Sequence, residues 1–267
     1  MGINESVRAP AVAGRFYSDD AGTLQQQVDG FLDAADSADK APKAVIAPHA
    51  GFMFSGAVAG LAYGRLRPAQ TTVQRVVVLG PSHFVPIRGL AAPDVNWLRT
   101  PLGDVPVDTD GVAEALEHPE VAVDDSPHAH EHSLETQLPF IQRTLGAVPV
   151  VPLVVGEATT HEVGRVLAAL WGGPETVIAI SSDLSHFHDD ATARALDRAT
   201  ADAIEARDHE AMSPDRACGF LPIAGTLWNA IGRELQPRTL ALRNSGDAGA
   251  PHDSVVGYGA FEIPGAA

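Results

Sequence analysis

The sequence predicts a single α/β domain in which a central mixed β-sheet is covered by helices on both faces. Short β-branched runs alternate with stretches of helical periodicity, the pattern of a sheet buried between helices. Three of those runs end at a histidine, where the loops of an open sheet gather. No Ser/Gly/Pro-rich or charged stretch divides the 267 residues into halves, so the expected domain spans residues 1–267. With 45% hydrophobic and 19% charged residues, the chain can fill one sizeable core.

Lys43–Pro48 (KAVIAP) reads as a buried strand that runs into a turn at His49. A helix over roughly Ser55 to Arg67 leads to a second strand, Arg75–Gly80 (RVVVLG), which stops at Pro81-Ser82-His83. Arg88–Ala92 follows too closely for a crossover helix, so part of the sheet must be antiparallel. Leu134, Leu138, Ile141 and Leu145 recur at helical spacing, and Val148–Val155 is strand-like again. A helix at about Thr160 to Trp171 precedes the strand Thr176–Ser182, which empties into Asp183-Leu184-Ser185-His186. Asp189 or Asp190 suits the N-cap of a helix reaching Arg207. Arg238–Arg243 and Ser254–Ile263, joined by the turn-rich Asn244–Gly249, read as a hairpin or adjacent edge strands.

The balance of charge narrows the partners. Eighteen Lys+Arg against 34 Asp+Glu give a net charge of −16, which repels a nucleic-acid backbone and an anionic membrane surface alike. The apolar runs fall short of the ~20 residues of a membrane helix, so no span is expected. Met1 to Arg15 lacks the apolar core of a secretory leader, and one cysteine cannot form an internal disulfide. The expected location is a reducing cytoplasm.

Position singles out His49, His83 and His186, each at a strand exit. Cys218 precedes an apolar stripe of Leu221, Ala224, Leu227, Trp228 and Ile231, and Pro222 fits only a first turn, so a helix should begin near the thiol. A thiol at a helix N-terminus is expected to have a depressed pKa, suiting a nucleophile or a metal ligand. Two imidazoles and one thiolate would leave coordination positions open, as catalytic metals require. His128 and His130 read as surface-loop histidines. His132 and Glu135 would share a helix face and point together into the crevice, in a substrate-binding or ligand-orienting role. Glu131 and Glu135 equally suit the positive end of that helix, and Asp189 is divided between an N-cap and a substrate-binding role.

The blocks APHAGFMFSG (Ala47–Gly56), LGPSHF (Leu79–Phe84), EHSLETQLPF (Glu131–Phe140), SSDLSHF (Ser181–Phe187) and ACGFLPI (Ala217–Ile223) occur in this order. With AGRFYSDD (Ala13–Asp20), TPLGDVPVD (Thr100–Asp108) and DSVVGYGAF (Asp253–Phe261), they resemble the Memo family over nearly the whole chain. The resemblance implies a fold similar to class III extradiol dioxygenases. It implies that His49, His83 and Cys218 bind a transition metal, with His186 in the place of the acid/base histidine and Asp183 orienting it. Where those dioxygenases use a carboxylate, a cysteine stands here. That softer ligand favours copper(I) or zinc and remains compatible with iron(II). Bacterial members often belong to a three-part system with a radical S-adenosylmethionine protein, which the resemblance offers as a partner.

Three functions follow as expectations. The first is a metal-dependent oxidoreductase acting on a small hydroxylated molecule through the open His/His/Cys site, with the dioxygenase-like chemistry that the resemblance implies. The second is a hydrolase or transferase with Cys218 as nucleophile, His186 as base and Asp183 as orienter. The third is a non-catalytic metal- or peptide-binding module, since the family's eukaryotic members are linked to phosphotyrosine-peptide recognition. A strongly acidic chain without an Arg cluster suits phosphate poorly.

Overall fold

A computed structural model of the chain describes residues 6–265. The ends of the expected 1–267 domain, and the first residues of the Met1–Arg15 stretch read for a leader, lie outside the described residues.

Val7–Arg8 forms β1 and Ala21–Asp33 forms α1, where Asp20 accepts the Thr23 N–H at 2.8 Å as N-cap. Every residue of β2, Pro42–Ala47, is buried, as a strand covered on both faces requires. The next helix, α2 (Phe52–Gly64), starts ahead of the expected Ser55, with Gly51 as an N-cap that offers no side chain. Gly56, Gly60 and Gly64 lie at helical spacing against α1. A Cβ at Gly56 would sit 2.3 Å from the Phe31 ring, and one at Gly60 2.5 Å from the Phe31 carbonyl oxygen. Hydrogen in place of a side chain is what lets the two helices approach.

Then come β3 (Arg75–Pro81), β4 (Leu90–Ala92), β5 (Trp97–Thr100), β6 (Gly103–Pro106), α3 (Thr109–Ala115) and β7 (Val121–Val123). A 3₁₀ turn at Glu135–Gln137 leads into α4 (Leu138–Leu145), followed by β8 (Val150–Val155), α5 (Thr160–Ala169) and β9 (Thr176–Ser181). The chain closes with β10 (His186–His188), α6 (Asp190–Glu205), α7 (Phe220–Gly232), β11 (Arg238–Asn244) and β12 (Val255–Pro264).

The strands form one nine-stranded mixed sheet, in the order β10-β12-β2-β9-β3-β8-β4-β7, with β11 also paired to β12. Its centre, β2-β9-β3-β8, is parallel. On either side of it β10 with β12, β12 with β2 and β4 with β8 are antiparallel, the last following from the short connection read at Arg88–Ala92. β11 and β12 pair as an antiparallel hairpin. Helices α1, α2 and α4 pack together in one layer, and α5 packs on α7 in another. Ala47 lies beside Ser181, and Leu79 beside Ile180, so the carboxyl ends of β2, β9 and β3 open side by side. A second sheet, β1-β5-β6, went unread because its strands of two to four residues are too short to show a period. Among the described residues no helix is long and apolar enough to cross a membrane.

Candidate metal centre

His49 leaves β2 and is 2% exposed. Its Nδ1 lies 2.8 Å from Ser181 Oγ, whose own hydroxyl donates to the Ser133 carbonyl at 2.5 Å. Because that hydroxyl proton is committed, His49 Nδ1 must donate, and the lone pair sits on Nε2. Burial, reinforced by His83, pushes the pKa of His49 down to about 3, so the ring is neutral at physiological pH.

His83 follows β3 and is fixed twice by Glu131. Its backbone N–H donates to Oε2 at 2.6 Å, and Nδ1 donates to Oε1 at 2.8 Å. Its Nε2 is therefore free as well. Oε1 also accepts the backbone N–H groups of His132 and Ser133, each at 2.9 Å. Burial alone would raise the Glu131 pKa, but the hydrogen bonds from the ring and backbone of His83 and from the Ser133 backbone outweigh it and hold the carboxyl at about 2. An ionised carboxylate thus orients a candidate ligand.

Cys218 Sγ lies 3.3 Å from His49 Nε2. The Asp183 N–H donates to the sulfur at 3.3 Å, and the Asp183 carbonyl is 3.6 Å away. Gly219 makes the approach feasible, since a Cβ there would lie 2.6 Å from the Ser181 carbonyl oxygen. The expectation of a depressed thiol pKa is corrected: burial, with the Asp183 charge adding to it, pushes Cys218 up to about 12. Helix α7 begins at Phe220 with Gly219 as N-cap, so the thiol precedes the helix rather than occupying its first turn.

His132 completes an imidazole cluster. Ligand atoms of His49, His83 and His132 all lie within 4.8 Å of one another, and the cluster can hold a metal ion. His132 stacks on His83 with centroids 4.6 Å apart and planes 18° apart, and the Phe16 ring is 4.8 Å away on another side. Its Nδ1 is 3.4 Å from Glu131 Oε1 but not aligned to bond with it, which leaves a buried nitrogen without a hydrogen-bond partner. Burial, with His49 next in effect, pushes its pKa down to about 4. Three imidazoles with ring nitrogens this close, His49 and His132 kept neutral by burial and the His132 Nδ1 without a hydrogen-bond partner, are a donor set that fits a transition metal.

Residues 8–262 match the family of Memo-like proteins. The chain belongs to the Memo family. Its relatives include a MEMO1 family protein of Methanosarcina mazei, 33% identical, with 96% of this chain and 99% of that protein covered. Another, from Aeropyrum pernix, is 34% identical over 96% of this chain and 99% of its own length. Among solved structures, the uncharacterized protein JW3007 of Escherichia coli K12 is similar with a TM-score of 0.51 at 16% identity. That alignment covers 82% of this chain and 98% of the other, and it is a likeness of fold.

Several expectations about this Memo chain are changed by the geometry. Asp183 does not orient His186 by a hydrogen bond. Its carboxylate turns instead to the backbone N–H groups of His49 at 2.8 Å and Ala50 at 3.3 Å, and burial raises its pKa. His186 stands half-buried at the start of β10, on the strand that pairs with β12. Glu135 does not share a helix face with His132, because no helix begins until after the 3₁₀ turn. Its carboxylate is consumed by Arg8 at 2.6 Å, the N–H groups of Ala11 and Val12, and the Tyr17 hydroxyl at 2.6 Å. Asp189 caps α6 by accepting from Thr192 N–H and Oγ1, leaving its carboxylate engaged away from the cluster. The orienting roles of Ser181 and Glu131 were missed, since partners 132 and 48 residues away in sequence leave no local signal. A larger cavity of about 680 Å³, between Pro42, Trp171 and Arg233, contains none of the candidate site residues.

His128 is also not a surface histidine: it is 4% exposed and donates from Nε2 to the Ala91 carbonyl at 3.0 Å. Burial pushes its pKa down from 6.5 to about 4. The unfolded chain binds the proton first, so this contribution to stability is full above the unfolded pKa and is lost as pH falls through the folded one. The difference is on the order of 3 kcal/mol. The urea midpoint of the parent protein is expected to fall more steeply between pH 6.5 and 4 than that of His128→Gln, which keeps a donor for Ala91 and does not titrate. Equal slopes would exclude the buried neutral ring.

Proposed function

We propose that this protein is a metal-dependent oxidoreductase acting on a small hydroxylated molecule, with the ion held by His49 Nε2, His83 Nε2 and Cys218 Sγ. The observation that carries the reading is the 3.3 Å separation of Cys218 Sγ from His49 Nε2, beside a second imidazole whose Nδ1 is likewise occupied. Two donors on one tetrahedral ion, at bond lengths of roughly 2.1 and 2.3 Å, stand about 3.6 Å apart. His132 is a less suitable third ligand than Cys218. Imidazole lone pairs lie in the ring plane, and rings stacked with an 18° tilt do not aim at a common point until one of them turns.

A bound iron or copper ion would supply Lewis acidity and redox capacity, lowering the pKa of a coordinated hydroxyl. The chain's own residues would do the rest. His132, kept neutral by burial, would accept a hydrogen bond from a hydroxyl brought to the cluster. His186, half-buried at the start of β10, would be the proton carrier. Met53, Phe84 and Phe187, each within a few residues of a site histidine, are exposed and offer an apolar rim. Phe187 has φ of 62°, a conformation that costs an aromatic residue and that its neighbours must hold.

The raised thiol pKa works against Cys218 as a free nucleophile, because the attacking species is the thiolate. Anaerobic purification followed by elemental analysis, and spectroscopy with and without catechols, tests the reading. About one iron or copper per chain, with a catechol-dependent spectral change, is expected. Protein that takes up neither metal nor zinc under these conditions would end it.

A further inference from the structure

Cys218 faces two ways. On one side is His49; on the other is a cleft of about 410 Å³, which none of the three imidazoles lines. One wall is Val85, Pro86 and Ile87, from the loop between β3 and β4; the facing wall is Phe220, Leu221 and Pro222, from the first turn of α7. Cys218 and Ser82 lie in the lining between them.

The cleft is preformed. Gly89 N–H donates to the Glu157 carbonyl at 2.8 Å, Glu157 N–H to the Ile87 carbonyl at 2.8 Å, and Gly156 N–H to the Gly89 carbonyl at 2.9 Å. These bonds fasten the loop to the end of β8, so a ligand need not order it. The volume falls within the roughly 300–1,000 Å³ of small-molecule pockets and is too small for a folded partner.

Charge and hydrogen bonding define the ligand further. The charged side chains of the lining are Arg88 and Glu157, which pair at 3.8 Å and are largely exposed, so the pair cancels at the rim. A lining that is more apolar than polar and carries no net charge disfavours an ion. The Ser82 hydroxyl donates to the Val85 carbonyl at 2.5 Å, so toward a ligand its oxygen is an acceptor. We infer that the cleft between the β3–β4 loop and α7 binds the apolar body of an uncharged molecule, with an O–H or N–H head directed to Ser82 beside Cys218. The assignment rests on the proposed site in that it makes this molecule its substrate class.

As the chain has a single cysteine, any thiol reagent reports on Cys218 alone. The probe is 2-naphthol, with 2-naphthoate as its charged counterpart, titrated into the full-length protein by fluorescence, metal-free and zinc-loaded. Naphthol is expected to bind and to slow maleimide modification of Cys218 in metal-free protein, while naphthoate binds at least about tenfold more weakly. Leu221→Glu, which puts a charge in the wall, and Val85→Trp, which fills the space, are each expected to weaken naphthol at least about tenfold with zinc uptake unchanged. Naphthoate binding as tightly as naphthol, no protection of Cys218, or unchanged affinity in both variants would overturn the assignment. Naphthol protection in a protein that takes up no metal would leave the cleft standing and sink the metal reading instead.

Discussion

Cys218→Ser is expected to lower metal affinity by at least about a hundredfold, whereas His132→Ala costs less than about tenfold. The two substitutions separate a site of two imidazoles and a thiolate from one of three imidazoles. Serine keeps the shape and the hydrogen bond from the Asp183 N–H, but at neutral pH a hydroxyl is a poor ligand for a soft ion. Protons give an independent reading. A thiol held up to about 12 enters a metal shell as thiolate, so each ion taken up at pH 7.5 to 9 should release about one proton, and apparent affinity should rise about tenfold per pH unit. His49 and His132 are already neutral and release none. Calorimetry in buffers of different ionisation enthalpy counts the proton. Uptake without proton release, together with a Cys218→Ser variant that binds normally, would assign the ion to the imidazole cluster.

The second large effect concerns the amino-terminal segment. Glu135→Gln is expected to destabilise the protein by about 3–5 kcal/mol, because it leaves the nearly buried Arg8 guanidinium without its anion. The damage spreads, since the same carboxylate gathers the Ala11 and Val12 N–H groups and the Tyr17 hydroxyl. Phe16, held between these anchors, is the ring that lies against His132. Urea unfolding measures the loss, and Arg8→Met combined with Glu135→Leu should recover part of it by removing both charges together. A loss under about 1 kcal/mol in the single variant would mean that the pair is solvated and not a clamp.

The parallel centre of the sheet was legible because Lys43–Pro48, Arg75–Gly80, Val148–Val155 and Thr176–Ser182 are continuous apolar runs, and burial on both faces leaves that mark. Strand exits placed His49 and His83 correctly at the mouth of the sheet. Cys218 was traceable to a helix start from Pro222, yet its electrostatics came out reversed, because burial beside Asp183 depends on a contact 35 residues away in sequence. His132 was read into the crevice and lies in the cluster, but Glu135 was misread along with it. A spacing of three means a shared face only on a helix, and the 3₁₀ turn starting at Glu135 sends the two side chains apart. Periodicity describes faces of regular elements, and the orienting groups at this site sit on loops and turns.

His49 and Cys218 are separated by 169 residues, with His83 in the first third of the chain and the sulfur in the last. During synthesis at about 5–20 residues per second, the early imidazoles leave the ribosome roughly ten to thirty seconds before the thiol does. With the ligand set proposed above, a nascent chain would present an unfinished chelator, and secure capture of an ion would wait until translation has passed α7. Loading would then belong to the finished protein, and a half-built polypeptide would be kept from scavenging whatever cation is most abundant around it.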